Sequence, residues 1–191
     1  REHDLMRCFL LVHAVGPQGR VSVPRSRDEY LIDVYGSDGK LQRTVGRPGY
    51  QAPPRTDRER ARLEALADSW SRNAGVDVPL DYADCEMAVQ SLMLDDRGHL
   101  LVRHAASGRD LPRGVFLRLD EFAPDGRYLG EIHVRADADP MMDTLTWLGD
   151  GRVAITRGGV LTGLERWRDA AVYWEGEDEV VPEVVVCRWS R

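Results

Sequence analysis

Lysine is almost missing from this chain. Of 26 basic residues only Lys40 is a lysine, and the other 25 are arginines. The codon bias of a GC-rich genome explains this more simply than a phosphate-binding surface does. The net charge is −6 and no basic block is interleaved with aromatics, so nucleic acid is excluded as an expected partner. Three cysteines, Cys8, Cys85 and Cys187, are too few and too widely spaced for a disulfide scaffold. Cys187 stands in an apolar strand and reads as a small core residue rather than a nucleophile. The longest apolar runs are about five residues, too short for a helix to span a bilayer. H-E-x-x-H, C-x-x-C, G-x-S-x-G and a glycine-rich phosphate loop are all lacking, which removes the common zinc, redox, serine-hydrolase and nucleotide signatures. No cofactor, metal ligand or catalytic residue is therefore assigned. An initiating methionine and a charged-then-apolar leader are also lacking at Arg1-Glu-His-Asp-Leu-Met-Arg-Cys8. The expectation is a C-terminal part of a longer chain, secreted or periplasmic if a leader has been removed.

What is present is a globular composition, 42% hydrophobic and 30% charged with both signs interspersed, which excludes disorder. Its main feature is a recurring tight turn. Gly16-Pro-Gln-Gly19, Gly36-Ser-Asp-Gly39, Asp95-Asp-Arg-Gly98, Ala123-Pro-Asp-Gly126 and Leu148-Gly-Asp-Gly151 each end in the glycine that a short hairpin needs at positive φ. Strand-length apolar or alternating segments flank each of them: Phe9–Val15 and Arg20–Val23, Tyr30–Tyr35 and Leu41–Val45, Val89–Leu94 and His99–Arg103, Val115–Phe122 and Arg127–Val134, Thr144–Leu148 and Arg152–Thr156. A last hairpin is expected from Ala170–Trp174 and Glu183–Trp189, with the acidic run Glu175–Glu179 as its solvated turn. The hairpins group in twos, giving three four-stranded units at about 9–47, 86–135 and 143–191, each of a propeller blade's length of roughly 40–50 residues. Val34-Tyr-Gly-Ser-Asp-Gly-Lys-Leu41 aligns with Glu121-Phe-Ala-Pro-Asp-Gly-Arg-Tyr128, an internal echo between the first two units.

One segment, 56–75, breaks the pattern. Thr56-Asp-Arg-Glu59 is a capping box, Leu63, Leu66, Ala67 and Trp70 form a helical apolar stripe, and Gly75 is a stop signal. The spacing predicts a helix over about Asp57–Asn73, inserted between the first two units. A connecting helix that packs Trp70 on a sheet edge is expected over a lid or docking helix.

The strand, Asp-Asp-x-Gly turn, strand pattern followed by Phe-Ala-Pro-Asp-Gly-Arg-Tyr-Leu-Gly-Glu-Ile132 resembles the six-bladed β-propellers of the NHL-like superfamily, in particular bacterial propeller proteins of uncharacterised function. The resemblance is best over 86–135. It implies an all-β fold of three four-stranded propeller blades, half of a six-bladed ring, with one inserted helix. Three blades do not close a ring. The resemblance thus implies that missing N-terminal blades or a homodimer partner completes it, with another all-β arrangement such as a sandwich as the alternative. It implies a non-catalytic scaffold or binding module for a protein or small-molecule ligand. The alternative is a hydrolase or lactonase-type enzyme at the channel mouth, whose metal site resembles a Glu, an Asn and an Asp drawn from different blades. The only asparagine here, Asn73, lies in the helical insert, so a missing half or second subunit would have to complete such a site.

The polar residues to inspect on the middle unit are Arg103, His104, Arg118 and Asp120, which fall within expected strands. A buried Arg118–Asp120 pair would be structural, whereas an open channel lined by Arg and His would favour a ligand. His99 and His104 are five apart and should not share a strand face, while His13 and His133 are isolated. Asp137, Asp139 and Asp143 have the oxygen chemistry of a calcium loop but lack its glycine and distal glutamate, and read as a solvated loop.

Overall fold

A computed structural model describes residues 12–16, 19–75, 82–158 and 183–190. The described part is mostly β, arranged as three antiparallel sheets in chain order. Strands β1 (Ala14–Val15), β2 (Val21–Pro24), β3 (Leu31–Tyr35) and β4 (Leu41–Gly46) form an up-and-down four-stranded sheet. Strands β5 (Val89–Leu94), β6 (Leu100–His104), β7 (Val115–Phe122) and β8 (Tyr128–Arg135) repeat that plan. The third sheet consists of β9 (Thr144–Gly149), β10 (Arg152–Thr156) and β11 (Val184–Arg188), with β10 in the middle. Strand β11 pairs directly with β10, Val153 opposite Cys187, in the place a four-stranded meander would give to Ala170–Trp174. That segment, the 175–179 run and residues 9–11 of the expected first strand lie outside the described residues.

The turn chemistry explains the hairpins. Gly19, Gly39, Gly98, Gly126 and Gly151 all take positive φ, between 63° and 93°. In the 123–127 loop, Gly126 N–H bonds to Ala123 O and Ala123 N–H to Arg127 O, a three-residue loop with its glycine in the left-handed region. The aspartate before the glycine holds the loop from within: Asp125 Oδ1 accepts from Arg127 N–H, as Asp38 Oδ1 accepts from Lys40 N–H. The sequence echo is a structural equivalence, since Tyr35 stands opposite Leu41 and Phe122 opposite Tyr128, each beside a register shift.

Helix α1 (Asp57–Ala74) joins the first two sheets. Thr56 and Glu59 form the reciprocal capping box, and Gly75 ends the helix at φ 64°. Around its base, the buried Arg55 bonds to Glu86 and to the Ala83 carbonyl, and Pro54 bridges Cys85. The side chains of Leu66, Ala67 and Trp70 lie outside what is described. Among the described residues no helix is long and apolar enough to cross a membrane.

The middle sheet is packed on both faces, which is why β7 is buried along almost its whole length. Strand alternation sorts its side chains. Leu92, Leu100, Val102 and Phe122 meet Ala14, Ile32, Val34 and Val45 of the first sheet. Met93, Leu101, Leu117 and Leu119 meet Ile155, with Leu145, Trp147 and Trp189 of the third sheet around them. Each such fully buried aliphatic or aromatic side chain contributes about 1.5–3 kcal/mol. Strands β1 and β2 lie against β5, and β5 lies against β9.

Candidate functional site: a polar network between two sheets

Asp120 is fully buried in β7, on the face turned to the first sheet. Three groups satisfy its carboxylate. The Tyr30 hydroxyl donates at 2.7 Å, the Tyr128 hydroxyl at 2.9 Å, and Arg47 Nη1 lies 3.3 Å from both oxygens. Tyr30 precedes β3 and Arg47 follows β4, and their backbones bond, Arg47 N–H to Tyr30 O. The Arg47 guanidinium lies 5.7 Å from the Tyr50 ring centre and 5.9 Å from that of Tyr128, so cation–π contact adds to its ion pair.

His104 ends β6 on the same face and is 2% exposed. Its Nδ1 accepts from Ala106 N–H at 3.2 Å and lies 3.1 Å from the Tyr50 hydroxyl. An acceptor Nδ1 places the ring proton on Nε2. Nε2 has no hydrogen-bond partner and stands 3.9 Å from Asp120 Oδ2, beyond bonding reach. Tyr30, Tyr50 and His104 pack as rings, Tyr30 on Tyr50 at 4.9 Å and Tyr50 edge-on to His104 at 5.3 Å.

Burial sets the protonation of these groups. It pushes the Tyr30 phenol far above its ordinary value, and the Asp120 charge adds to this. It pushes Tyr128 up to about 12, with the bond to Asp120 as the second cause. Burial also holds His104 below its ordinary value, which the attraction of Asp120 only partly offsets. Burial works against the Arg47 charge, but Asp120 and the neighbouring phenols of Tyr128 and Tyr30 together outweigh it and the pKa rises. The site is thus neutral at His104 and built around one Asp–Arg ion pair.

Of the residues singled out from sequence, His104 and Asp120 come together. Arg118 shares their face but does not pair with Asp120. Its Nη2 donates to the carbonyls of Ala106 and Arg109, and Nη1 lies 3.9 Å from Glu131. Arg47 takes the place expected of Arg118, because it reaches Asp120 from the facing sheet. Arg103 points the other way, to Gln90 and the Pro140 carbonyl. Sequence reasoning missed Tyr30, Arg47, Tyr50, Tyr128 and Glu131. Only Tyr128 carried a usable signal, as the aromatic at the turn exit two strand positions across from Asp120.

Two groups of described side chains have metal-ligand chemistry, with donor atoms within 4.8 Å of one another: His104, Asp120 and Glu131, and Asp95, His99 and Glu121. The first suits a cation poorly. His104 offers Nε2–H rather than a lone pair, and Asp120 already accepts from two phenols and a guanidinium. The second lies on the opposite face of the middle sheet, as the five-residue offset of His99 from His104 requires. His99 Nδ1 is 2.6 Å from Glu121 and 3.7 Å from Asp95. Asp139 and Asp143 instead cap their own loop, accepting from Met141 N–H, Asp139 N–H and Gly158 N–H. Cys85 and Cys187 are free thiols, Cys187 being half-buried in β11.

No known family model matches the sequence, and no curated protein matches it.

Proposed function

We propose that the chain is a three-blade portion of a six-bladed, NHL-like β-propeller and serves as a non-catalytic scaffold for a protein or small ligand. The observation that carries the scaffold reading is the use made of Asp120 and His104. They are the most buried polar pair of the middle sheet, and their hydrogen bonds run toward the first sheet through Tyr30, Arg47 and Tyr50 as well as within their own through Tyr128 and Ala106. Carboxylate and imidazole here lock a packing interface instead of facing a substrate-sized space.

The propeller reading is supported by three meanders stacked face to face in chain order, with the opening strands of successive sheets as neighbours. Each end face carries aliphatic residues among polar ones, with Asp33 and Thr44 on the first sheet and Thr144, Thr146 and Thr156 on the third. Val21, Val23 and Leu31 are half-buried on the far side of the first sheet, and Val184 and Val186 are more than half exposed on the far side of the third. Such faces fit a ring continued by further blades or by a second copy. Light scattering of the 191-residue chain tests this. An assembly of two copies, or co-purification with the remaining blades, is expected. A stable, well-folded 21.6 kDa monomer overturns the incomplete-ring reading.

A hydrolase or lactonase-type enzyme is the second reading, and the Asp95–His99–Glu121 group is what favours it. Elemental analysis of the purified protein separates the two, since stoichiometric calcium or zinc lost on replacing Glu121 by Gln counts against the scaffold.

A further inference from the structure

The ring of His104 is built into the turn that follows it. Ala106 N–H bonds to Nδ1, Ser107 Oγ accepts from His104 N–H at 2.8 Å, and Ser107 N–H bonds back to His104 O. Arg118 closes the same turn from β7, through its own amide to Ser107 O and its Nη2 to Ala106 O and Arg109 O. The turn delivers Arg109, whose guanidinium makes two bonds to Glu59, at 2.6 and 3.0 Å, and one to Pro54 O at 2.7 Å. Glu59 is the residue that completes the capping box of α1. A continuous set of bonds therefore runs from the His104 ring through 105–109 to the start of the inserted helix.

We propose that His104 is an acid-operated latch: a proton on Nδ1 opens the 105–109 turn and releases the Arg109 clamp on the N-terminus of α1. The geometry supplies the mechanism. Nδ1 has one lone pair, and Ala106 N–H uses it. Once that lone pair is protonated, two N–H groups face each other at 3.2 Å. The Tyr50 hydroxyl can reverse and accept the new proton, but Ala106 N–H reaches that same oxygen, so the two donors then compete for it. The charged and titratable groups around the ring divide. Arg47 from the first sheet and Arg118 from β7 oppose an imidazolium, and Asp120 and Glu131 favour it. Tyr30 and Tyr50 complete the ring's surroundings as neutral phenols. Burial is the largest influence and disfavours the charge, so the latch holds at neutral pH and opens below the ordinary histidine value of 6.5.

Hydrogen–deuterium exchange on the full chain at about pH 7.5 and about pH 5, corrected for the intrinsic pH dependence of exchange, reads the latch. One coupled proton raises an opening constant by about tenfold per pH unit at its steepest. Peptides covering 105–109 and 55–62 should both lose about tenfold or more of their protection at the lower pH. His104→Asn keeps an acceptor in the Nδ1 position and cannot titrate, so both segments should keep their protection. An unchanged wild type, or an Asn variant that opens as the wild type does, overturns the proposal. Arg109→Gln leaves the ring untouched and serves if the Asn variant fails to fold. The start of α1 should then be open at both pH values, while 105–109 keeps its pH step. A helix start that still steps with pH in Arg109→Gln overturns the clamp.

Discussion

The middle sheet meets a neighbour on each face, and the two interfaces are built from different chemistry. Toward the third sheet it presents Leu101, Leu117 and Leu119, and the partners are Ile155 and a Trp147–Trp189 pair in edge contact at 5.6 Å. Toward the first sheet it presents Val102 and Phe122 but also Asp120 and His104, and the partners are Tyr30, Arg47 and Tyr50. Apolar contact holds two sheets together without fixing their offset. A buried carboxylate that needs two phenols and a guanidinium accepts one arrangement only, because a slipped sheet would leave it unpaired. The first interface is thus specified by a buried charge, whereas the second joins apolar contact to the more exposed bonds that Asp96 accepts from Trp147 Nε1–H and Gly151 N–H.

Replacing Asp120 by Ala attacks the specified interface directly. Tyr30 loses its acceptor and Arg47, itself 39% exposed, its partner, and each bond lost to the buried carboxylate costs about 1.5–3 kcal/mol. Urea denaturation monitored by tryptophan fluorescence measures the loss. Leu117→Ala is the matched change on the other face, a cavity costing about 2–5 kcal/mol. The contrast lies in the double mutant with Tyr30→Phe. Asp120→Ala should absorb most of the Tyr30→Phe cost, whereas Leu117→Ala should add to it fully. Additive behaviour in both pairs would remove the distinction between the two interfaces.

A finer comparison sets the two phenols of Asp120 against each other. Tyr30 is 3% exposed and bonds across the sheets, whereas Tyr128 is 40% exposed and bonds within its own sheet. Tyr30→Phe should cost about 1.5–3 kcal/mol, the range for a buried bond to a charged acceptor. Tyr128→Phe should cost about 1 kcal/mol or less, since water can replace its hydroxyl. Equal losses in the same denaturation assay would mean that Asp120 is held by its own sheet and that the facing sheet is incidental.

The distinction between local and long-range structure decides how much of this was legible in the sequence. The hairpin turns were, because a left-handed glycine and the aspartate before it act within five residues. So was α1, whose cap at Thr56 and Glu59 and stop at Gly75 are equally local. The pairing of Asp120 was not. Tyr30 is 90 residues away and Arg47 is 73, so alternation can place Asp120 and Arg118 on one face of β7 but cannot say which arginine arrives from outside. His104 and Asp120 were legible as polar residues in an apolar sheet. Their role as a joint was not, because it depends on which sheet lies opposite.

The smallest effect concerns pH, and it too separates the two interfaces. Burial lowers the pKa of His104 below its ordinary 6.5 in the folded chain. Above that value the ring is neutral both folded and unfolded, so pH has no hold on stability through it. As pH falls below 6.5 the unfolded chain takes up the proton first, and stability declines by up to about 1.4 kcal/mol per pH unit. The decline ends once pH has passed through the folded-state pKa, where both forms are charged. His104→Asn should flatten this part of the stability curve and leave the carboxylate-driven loss at lower pH in place. Leu117→Ala should lower the whole curve without changing its slope, because it leaves His104 and its partners in place. A His104→Asn curve that still falls between about pH 6.5 and 5 would move the acid sensitivity away from the first interface.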